Sequence, residues 1–423
     1  MRRILLLISL FIIASGLISC DRSRGVYYLN FKPEADKAWQ DLAKKYTDET
    51  GVKVTVVTAS EGRYEETLTT EMNKSSAPTL FQISGTVAYE TWKDYCLDLK
   101  DTKLYQELIS DDYAVKIDGG VYGIAYVYEG YGLITNKTLL KEAGYNYEDI
   151  TSFEKLKEVA ESITSRKSEL GFGAFSSSGL DGSSNWRFSG HLTNLPLFYE
   201  FTEDKIVTQP AKIKGTYINN MKQIWDLYIN NTYRIAPSAL TASTMDTSRG
   251  EFLEKKAVFY QNGTWEYSQI TTVLKDEEIG FLPIYMGVDD ANQGLCSGTE
   301  NYWAVNKEAN QKDVDATLEF LYWVVTSDTG VKALANDMGY VAPFKKAVKT
   351  NNVLYDYIDK ANEAGKTNID WLFTYTPNTE AWRNGVVDSL ALYSASQQPD
   401  YWLNVKVKMV DGWEEQYRLS HQQ

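Results

Sequence analysis

One stretch near the start of the chain constrains the fold more than any other, because strand and helix signals alternate in it. Residues 26–30 (VYYLN) are a β-rich run, and Pro33 stands where a helix would begin. Apolar side chains then recur at helical spacing over 39–46, and Gly51 marks the end of the helix. The run VKVTVV at 52–57 is the next strand. A strand, a helix and a strand in this order predict an α/β fold with a largely parallel sheet.

Later segments continue this alternation. A buried strand is predicted at 76–85, and a glycine-rich turn followed by strands at 118–137. The sequence TSFE at 151–154 has capping-box spacing and predicts that a helix begins there. Amphipathic helices are predicted at 314–330 and 380–395. The α/β pattern therefore extends over most of the chain.

The composition is that of a globular protein with an acidic surface. The chain has 423 residues, enough for two or three domains, and is 43% apolar and 24% charged. A net charge of -14 argues against a nucleic-acid partner, because binding phosphates requires a basic face. Aromatic residues make up 13% of the chain, including 30 Tyr and 11 Trp, so we expect some of them at a surface or in a cleft.

Histidine and cysteine are scarce. His191 and His421 lie far from any cysteine and outside any zinc-binding spacing, so the sequence predicts neither a metal site nor a cofactor. Cys20, Cys96 and Cys296 show no CxxC spacing. If Cys20 is used otherwise, Cys96 and Cys296 form one disulfide or remain two buried thiols, and their mixed and apolar neighbours favour thiols.

The first twenty residues have the pattern of a secretory signal. A positively charged start, MRR, is followed by an apolar run over 4–18 that is short for a membrane span. The run ends in LISC, which resembles the lipobox of bacterial lipoproteins, where the cysteine is lipidated and the chain is cut before it. We therefore expect a signal peptide at 1–19, a lipid on Cys20 and a tether over 20–25, which together hold the protein at the extracytoplasmic face of a bacterial membrane. An ordinary cleaved signal or an uncleaved anchor is the alternative.

Several motifs then occur in one collinear order. The first contains DG, YGIA, LITNK and AG, and a later one reads FLEKKAVFYQNGTWEYSQI. In chain order the motifs occupy 118–144, 252–270, 279–285, 301–306 and 339–348. This order resembles the maltose-binding, sugar-type family of bacterial extracellular solute-binding proteins, the capture subunits of ATP-driven importers. A proline and a tyrosine typical of the family are replaced by Ala125 and Thr135.

The resemblance implies a periplasmic-binding-protein-like fold, in which two α/β lobes joined by hinge strands close on a ligand in the cleft between them. The implied lobes are 26–132 with 303–337, and 133–302 with 338–423. The implied crossings lie near 130–136, 298–306 and 335–342. The resemblance also implies a monomer without catalytic activity that delivers a carbohydrate to the membrane permease subunits of an ABC importer.

A carbohydrate site requires aromatic rings beside hydrogen-bonding groups, because a sugar has apolar CH faces and a rim of hydroxyls. Trp265 lies at the family's position for a stacking aromatic, and Trp382 with Arg383 matches a second such position. Strand alternation would place Tyr126 and Tyr128 on one face. The other candidates in loops of mixed aromatic and polar character are Glu129, Asp181, Asn185, Trp186 and Arg187.

Weaker candidates follow the early strands or lie late in the chain, and a solvated surface position is the alternative for each. They are Lys32 and Glu34 in the first βα loop, Glu61 and Tyr64 in the second, Thr86 in the third, and Trp371. Trp39, Trp225 and Trp323 have apolar helical spacing, so we assign them to the core.

Two other functions stay open at this point. A cell-surface glycosidase needs two carboxylates at a set separation, and 57 acidic residues make chance pairs easy, but no catalytic motif is found. The same binding fold could instead hold a peptide, a polyamine or another polar solute. The candidate loops lack basic clusters and are rich in aromatics, which favours a neutral, hydroxyl-rich ligand and an oligosaccharide over a monosaccharide.

Overall fold

A computed structural model describes residues 23–421. The expected signal peptide at 1–19 and the lipidation site Cys20 lie outside the described residues. The strands of the described chain are β1 (Val26–Asn30), β2 (Val54–Thr58), β3 (Leu80–Ile83), β4 (Ala114–Ile117), β5 (Gly120–Ala125), β6 (Glu129–Asn136), β7 (Gly173–Phe175), β8 (Ala257–Gly263), β9 (Ile279–Leu282), β10 (Gln293–Gly298), β11 (Tyr302–Val305) and β12 (Thr367–Ile369).

Helices make up most of the remaining structure. They are α1 (Asp36–Thr50), α2 (Tyr64–Met72), α3 (Gly85–Trp92), α4 (Lys103–Gln106), α5 (Lys137–Glu142), α6 (Phe153–Ser165), α7 (Lys167–Leu170), α8 (Thr193–Asp204), α9 (Ile218–Asn230), α10 (Met245–Leu253), α11 (Tyr267–Ile270), α12 (Gln311–Thr326), α13 (Asp328–Lys332), α14 (Leu354–Glu363), α15 (Thr379–Ser396) and α16 (Pro399–Ser420). Two segments are π-helical, Arg187–Leu192 before α8 and Ala333–Asp337 after α13.

The strands form two six-stranded mixed sheets, and each sheet carries its own helices. The first sheet has the order β2-β1-β3-β11-β5-β4, and we call this sheet with the helices packed on it lobe 1. The second has the order β12-β10-β6-β8-β7 with β9 paired to β6, and it forms lobe 2 in the same way. The expected α/β fold with two lobes is confirmed.

The opening strand-helix-strand unit is confirmed, whereas the largely parallel sheet is not. β1 and β2 pair in parallel along their whole length, and α1 is the crossover between them. Among the paired strands of the described chain, however, six pairings are antiparallel and four are parallel. The prediction of a largely parallel sheet is wrong because β11 enters lobe 1 from a distant part of the chain and runs antiparallel to β3 and β5, while β6 of lobe 2 runs antiparallel to β8, β9 and β10.

Two predicted helices are confirmed with different ends. The hydroxyl of Ser152 accepts a hydrogen bond from Lys155 N at 3.2 Å, so Ser152 rather than Thr151 is the N-cap of α6. The helix predicted at 314–330 is interrupted at Ser327, whose side chain caps α13. Serine hydroxyls thus decide both boundaries.

Each lobe has its own hydrophobic core. Trp39 is buried in lobe 1 and Trp225 in lobe 2, as predicted, while Trp323 packs on the lobe 1 core from a partly exposed position. Cys96 and Cys296 are free and buried, which confirms the prediction of two thiols. Burial raises the pKa of each of these thiols to about 12, so neither is ionised at neutral pH.

The chain crosses between the lobes in three connections, and the first two are short. β5 ends at Ala125 in the first sheet, and β6 begins at Glu129 in the second. Residues 129–132, which were expected in lobe 1, therefore lie in lobe 2. The chain returns between Gly298 and Tyr302. A third connection joins the π-helical segment after α13 to α14.

These three connections are hydrogen-bonded to one another. Thr299 Oγ1 donates to the carbonyl oxygen of Val127 at 2.7 Å, and Tyr128 N donates to that of Val341 at 2.8 Å. The crossings therefore form one hinge region rather than three separate tethers.

Candidate functional site

Five aromatic rings of lobe 2 surround His191. The imidazole stacks on Tyr131, with ring centroids 4.0 Å apart and ring planes 5° apart. The other centroids lie at 5.1 Å for Trp186, 5.5 Å for Trp265, 5.9 Å for Trp371 and 5.4 Å for Phe373. Trp186 and Trp265 are partly exposed, and the rest are buried. We call these six residues the aromatic cluster.

The local backbone explains how the chain places these rings. His191 lies in the π-helical segment before α8, a wider helical turn that is frequent at functional sites. Trp265 follows β8 and folds back over Gly263, where a Cβ atom would lie 2.2 Å from the indole. The indole N–H of Trp186 donates to the carbonyl oxygen of Ser183 at 2.9 Å. Glycine at 263 is therefore required for the position of the Trp265 ring.

Lys32 reaches from lobe 1 to the aromatic cluster. Asn30, at the end of β1, holds its backbone by accepting from Lys32 N at 3.1 Å and donating to Lys32 O at 2.7 Å. The Lys32 Nζ atom lies 2.8 Å from Glu129 Oε1, 3.5 Å from Glu34 Oε1 and 5.7 Å from the centre of the Trp265 ring. Burial lowers the pKa of Lys32, but the neighbouring carboxylates outweigh this and raise it, so the ammonium stays charged.

Glu61 of lobe 1 faces an ion pair of lobe 2. Arg249 binds the buried Glu266 through two contacts of 2.8 and 2.9 Å, and Glu266 directly follows Trp265. Burial raises the pKa of Glu61 to about 7, with Arg249 opposing the rise and the charges of Glu266 and Glu34 adding to it. Glu61 therefore changes its charge near neutral pH.

Arg383 carries positive charge to the other end of the cluster. Its guanidinium carbon lies 5.5 Å from the centre of the Phe373 ring. Burial lowers the pKa of Arg383, and the carboxylates of Glu300 and Glu65 oppose this. Burial raises the pKa of Glu300, and the positive charges of Arg383 and Lys32 oppose this. Charged groups of both signs and from both lobes thus line the site.

The lobes touch at two places beside these residues. Gly62, between β2 and α2, lies against Gly182 of lobe 2, and a Cβ atom on Gly62 would be 2.3 Å from the Gly182 carbonyl oxygen. At the start of α3, the Cβ position of Gly85 is 3.6 Å from Thr374 Cβ of lobe 2. The cleft between the lobes is therefore closed over the site.

The structure brings eight predicted residues to this cleft. They are Lys32, Glu34, Glu61, Glu129, Trp186, Trp265, Trp371 and Arg383.

Three predicted ligand residues lie in the hydrophobic core instead. Trp382 is 2% exposed, and its indole N–H donates to a backbone carbonyl of α16. Successive residues of a helix point in different directions, so only Arg383 of this pair reaches the cleft. Tyr126 stacks on Trp303 in lobe 1 with centroids 4.7 Å apart, and Tyr64 is buried under the same sheet.

The remaining aromatic candidate, Tyr128, belongs to the hinge. Its hydroxyl shares a 2.6 Å hydrogen bond with Ser297. Residues 126–128 connect β5 to β6 and are not a strand, so the alternation assumed from the sequence does not hold there. Tyr126 and Tyr128 accordingly enter different hydrophobic clusters.

The polar candidates outside the cleft stabilise loops or lie on the surface. Asp181 accepts from the backbone N–H and the hydroxyl of Ser183, which closes a turn. Arg187 is buried and donates to the Gln261 carbonyl oxygen among other groups of lobe 2. Asn185 is partly exposed, and Thr86 is exposed on α3.

Sequence reasoning missed several residues of the site. They are Tyr131, His191, Arg249, Glu266, Glu300 and Phe373. His191 had a usable signal, because it is one of only two histidines and lies five positions after Trp186. No pattern in the sequence marked Arg249 or Glu300, because each lies in a segment separated along the chain from the other residues of the site.

The site has the components of a binding cleft. Its rings offer apolar faces, and its ionised groups offer directional donors and acceptors. The described residues contain no group of three or more His, Cys, Asp or Glu side chains placed to hold a metal ion.

The family of bacterial extracellular solute-binding proteins matches residues 41–363 of this chain. The chain belongs to this family. Solute-binding proteins of this kind are not catalysts, which excludes the glycosidase alternative. Between residues 23 and 421, no helix of this solute-binding protein combines the length and apolarity needed to span a membrane.

Proteins with known ligands are similar to this solute-binding protein over most of its length. The maltotriose-binding protein of Pyrococcus abyssi (strain GE5 / Orsay) is 23% identical over 361 residues, which cover 80% of this chain and 71% of that protein. The structure of SBP RafE in complex with raffinose has a TM-score of 0.73 at 15% identity, covering 91% and 98% of the two chains. A chitin oligosaccharide binding protein has a TM-score of 0.69 at 14% identity, covering 93% and 99%. These structural similarities show the shared fold.

Proposed function

We propose that this solute-binding protein captures a carbohydrate, specifically an oligosaccharide, in the cleft between its lobes. The observation that supports this most is the pair Trp186 and Trp265, partly exposed rings with centroids 5.8 Å apart. Lys32 and Glu129 lie beside them with charged groups suited to hydroxyl recognition. Apolar faces next to charged donors and acceptors complement a sugar ring.

The relatives support the same class of ligand. Their names refer to maltotriose, raffinose and chitin oligosaccharide. All three are oligosaccharides, and they differ in their sugars and linkages. These names favour a carbohydrate ligand and leave the individual sugar to experiment.

The decisive experiment is a ligand panel on the purified mature chain. Thermal unfolding and calorimetry would be run with maltotriose, raffinose and chitotriose, and with a tripeptide and spermidine for the alternative ligand classes. A trisaccharide that binds the folded state is expected to raise the unfolding midpoint by mass action, while the tripeptide and spermidine leave it unchanged. Binding of spermidine or the tripeptide alone would replace the carbohydrate proposal with the alternative.

We also propose that a lipid on Cys20 holds the protein at the extracytoplasmic face of the membrane, where it delivers the sugar to the permease subunits of an ABC importer. Family membership and the LISC sequence support this. Cys20→Ala is expected to abolish incorporation of a radiolabelled lipid precursor and to shift the protein from the membrane fraction or leave its signal uncleaved. Equal labelling of Cys96→Ala and wild type is the control, and equal labelling of Cys20→Ala would refute the anchor.

A further inference from the structure

Residues 23–25, the first that the structure describes, are bound to lobe 1 by one buried carboxylate. Asp313 lies in the first turn of α12 and is 5% exposed. Its Oδ1 atom accepts hydrogen bonds from the Ser23 hydroxyl at 2.6 Å, Arg24 N at 2.9 Å and Gly25 N at 2.9 Å. Hydrogen bonds to an ionised carboxylate are about twice as strong as neutral ones. We call Asp313 together with residues 23–25 the N-terminal latch.

Glycine at position 25 completes the latch. Gly25 has a φ of +83°, and a Cβ atom there would lie 2.2 Å from the Lys53 carbonyl oxygen. Val26 N donates to the same oxygen at 2.9 Å, and β1 begins at Val26. In addition, Arg24 Nη1 donates to the Ser75 carbonyl oxygen at 3.2 Å. The chain is therefore fixed on lobe 1 before its first strand begins.

The latch leaves a very short tether to the proposed lipid. Only Asp21 and Arg22 stand between Cys20 and Ser23. Three steps from one Cα atom to the next span at most about 11 Å. A lipid on Cys20 is inserted in the membrane, so the surface of lobe 1 around Ser23 lies close to the lipid headgroups.

This surface carries exposed positive charge. The exposed basic residues on the latch and on the segments beside it, which we call the basic rim, are Arg24, Lys53, Lys74 and Lys312. Glu71 pairs with Lys74 at 2.6 Å. The carboxylates on the flanking helices α1 and α12 bind elsewhere: Asp48 with Lys44, Glu49 with Trp323 and Asp315 with Gln311. In a chain with a net charge of -14, basic side chains at the exit of the tether favour anionic headgroups.

The ligand site lies at the other end of β1. The latch precedes the amino end of this strand, whereas Asn30 and Lys32 lie at its carboxyl end. A strand of five residues separates the two ends by about 17 Å. A membrane contact at the latch therefore leaves the cleft clear of the headgroups.

We propose that the basic rim rests on anionic headgroups of the membrane that carries the Cys20 lipid, and that the latch fixes lobe 1 in this orientation. Lobe 2 is then the lobe that moves relative to the membrane when the cleft opens and closes. This inference rests on the proposed lipid anchor and adds a second contact with the membrane, made by the protein surface.

Acetylation of individual lysines measures this contact without any substitution. The lipidated protein is studied in vesicles of equal parts phosphatidylglycerol and phosphatidylcholine, with the unlipidated mature chain in solution as reference. Lys53, Lys74 and Lys312 should react about fivefold more slowly in the anchored protein, the effect of one charge contact with an anionic surface. Lys157 of lobe 2 is the matched control for Lys74, because their side chains are 53% and 51% exposed and each forms an ion pair. The rate at Lys157 should not change.

Limited trypsin cleavage tests the latch on the unlipidated mature chain. Asp313→Ala frees residues 23–25, so cleavage after Arg24, read by mass spectrometry, should be at least about tenfold faster than in wild type. Asp315→Ala is the matched control, since it removes the same charge from the same helix and Asp315 binds Gln311 instead. Equal cleavage rates in the two variants would refute the latch.

The outcomes separate this inference from the lipid anchor. Equal acetylation of the three lysines in anchored and free protein, or equal protection in vesicles of phosphatidylcholine alone, overturns the contact with anionic headgroups. If wild type incorporates no lipid precursor, the proposed anchor fails and the membrane contact fails with it. If wild type is lipidated and the three lysines are unprotected, only the membrane contact fails.

Discussion

At the residue scale, Trp265 and Trp382 show how one side-chain type serves two purposes. Trp265 is partly exposed in the cleft. Trp265→Ala is expected to weaken ligand binding about ten- to a hundredfold, because stacking on a sugar and the accompanying burial contribute about 1.5–3 kcal/mol. The free energy of unfolding of the ligand-free protein should fall only modestly. Calorimetry and denaturant melting measure the two quantities separately.

Trp382 supplies the matched control for that substitution. Because it fills the lobe 2 core, Trp382→Ala should cost about 3–5 kcal/mol of folding stability through the cavity it leaves. Its affinity for ligand should stay close to wild type in the molecules that fold. The opposite pattern for the two variants would assign Trp382 to the site and Trp265 to the core.

The residues of the site could be predicted only in part. Trp265, Trp186 and Lys32 were predictable because each combines a suitable side chain with a loop that follows a strand. Trp382 was wrongly predicted to contact the ligand because it stands next to the polar Arg383. Two adjacent residues of a helix point in different directions, and the sequence alone does not show which of them faces the cleft. Glu300 was out of reach, because it lies in the return connection between the lobes and its charge acts on Arg383, which is far away in sequence.

At the scale of elements, the sequence predicted those helices and strands that depend on neighbouring residues. The unit from β1 to β2 was predictable from its own residues. An amphipathic helix between two apolar runs most often forms a strand-helix-strand unit, and this is the structure observed. The central place of β11 was not predictable from the strand pattern alone, because its neighbours β3 and β5 are far away in sequence. Long-range pairing therefore sets the limit of the sequence-based prediction.

The end of β8 provides a prediction at this scale. Gly263→Ala would place a methyl group 2.2 Å from the Trp265 ring, so the indole must move out of the cluster. We expect lower affinity for the ligand and altered tryptophan fluorescence, with the sheet intact by circular dichroism. Gly250→Ala in α10 is the control, since no described atom outside its own helix lies within 4 Å of that Cβ position and alanine favours a helix. Wild-type affinity in Gly263→Ala would contradict the role given to this glycine.

At the scale of the whole molecule, closure depends on the contact between Gly62 and Gly182. Gly62→Ala would introduce a Cβ atom 2.3 Å from a carbonyl oxygen of the other lobe, so the lobes should stay farther apart. Gly51→Ala is the matched control, because its φ of +76° is close to the +73° of Gly62 and no described neighbour lies within 4 Å. Both variants should lose about 1–2 kcal/mol of stability through backbone strain.

Small-angle scattering distinguishes these two glycine variants. With a saturating trisaccharide present, Gly62→Ala should have a larger radius of gyration than wild type, and Gly51→Ala should match wild type. Equal radii for all three proteins would show that the contact does not limit closure.

Glu61 links closure to pH. Burial, chiefly, raises the pKa of Glu61 to about 7 in the closed cleft, where Arg249, Arg187, Glu266 and Glu34 face it. Opening returns the carboxylate to water and brings this pKa back toward 4.5. The closed form therefore binds more protons between these values, so acidification favours closure and a rise in pH through 7 favours opening. The radius of gyration measured from about pH 5 to 8 should increase with pH in wild type and less in Glu61→Gln.

The position of β11 also sets a schedule for making the protein. β11 lies between β3 and β5, yet its residues begin at Tyr302 whereas β5 ends at Ala125. At a synthesis rate of about 5–20 residues per second, the ribosome needs on the order of 10–30 s to pass from one to the other. During that interval the facing edges of β3 and β5 lack the strand that pairs with both of them. The sheet of lobe 1 therefore stays incomplete until nearly three quarters of the chain has been synthesised.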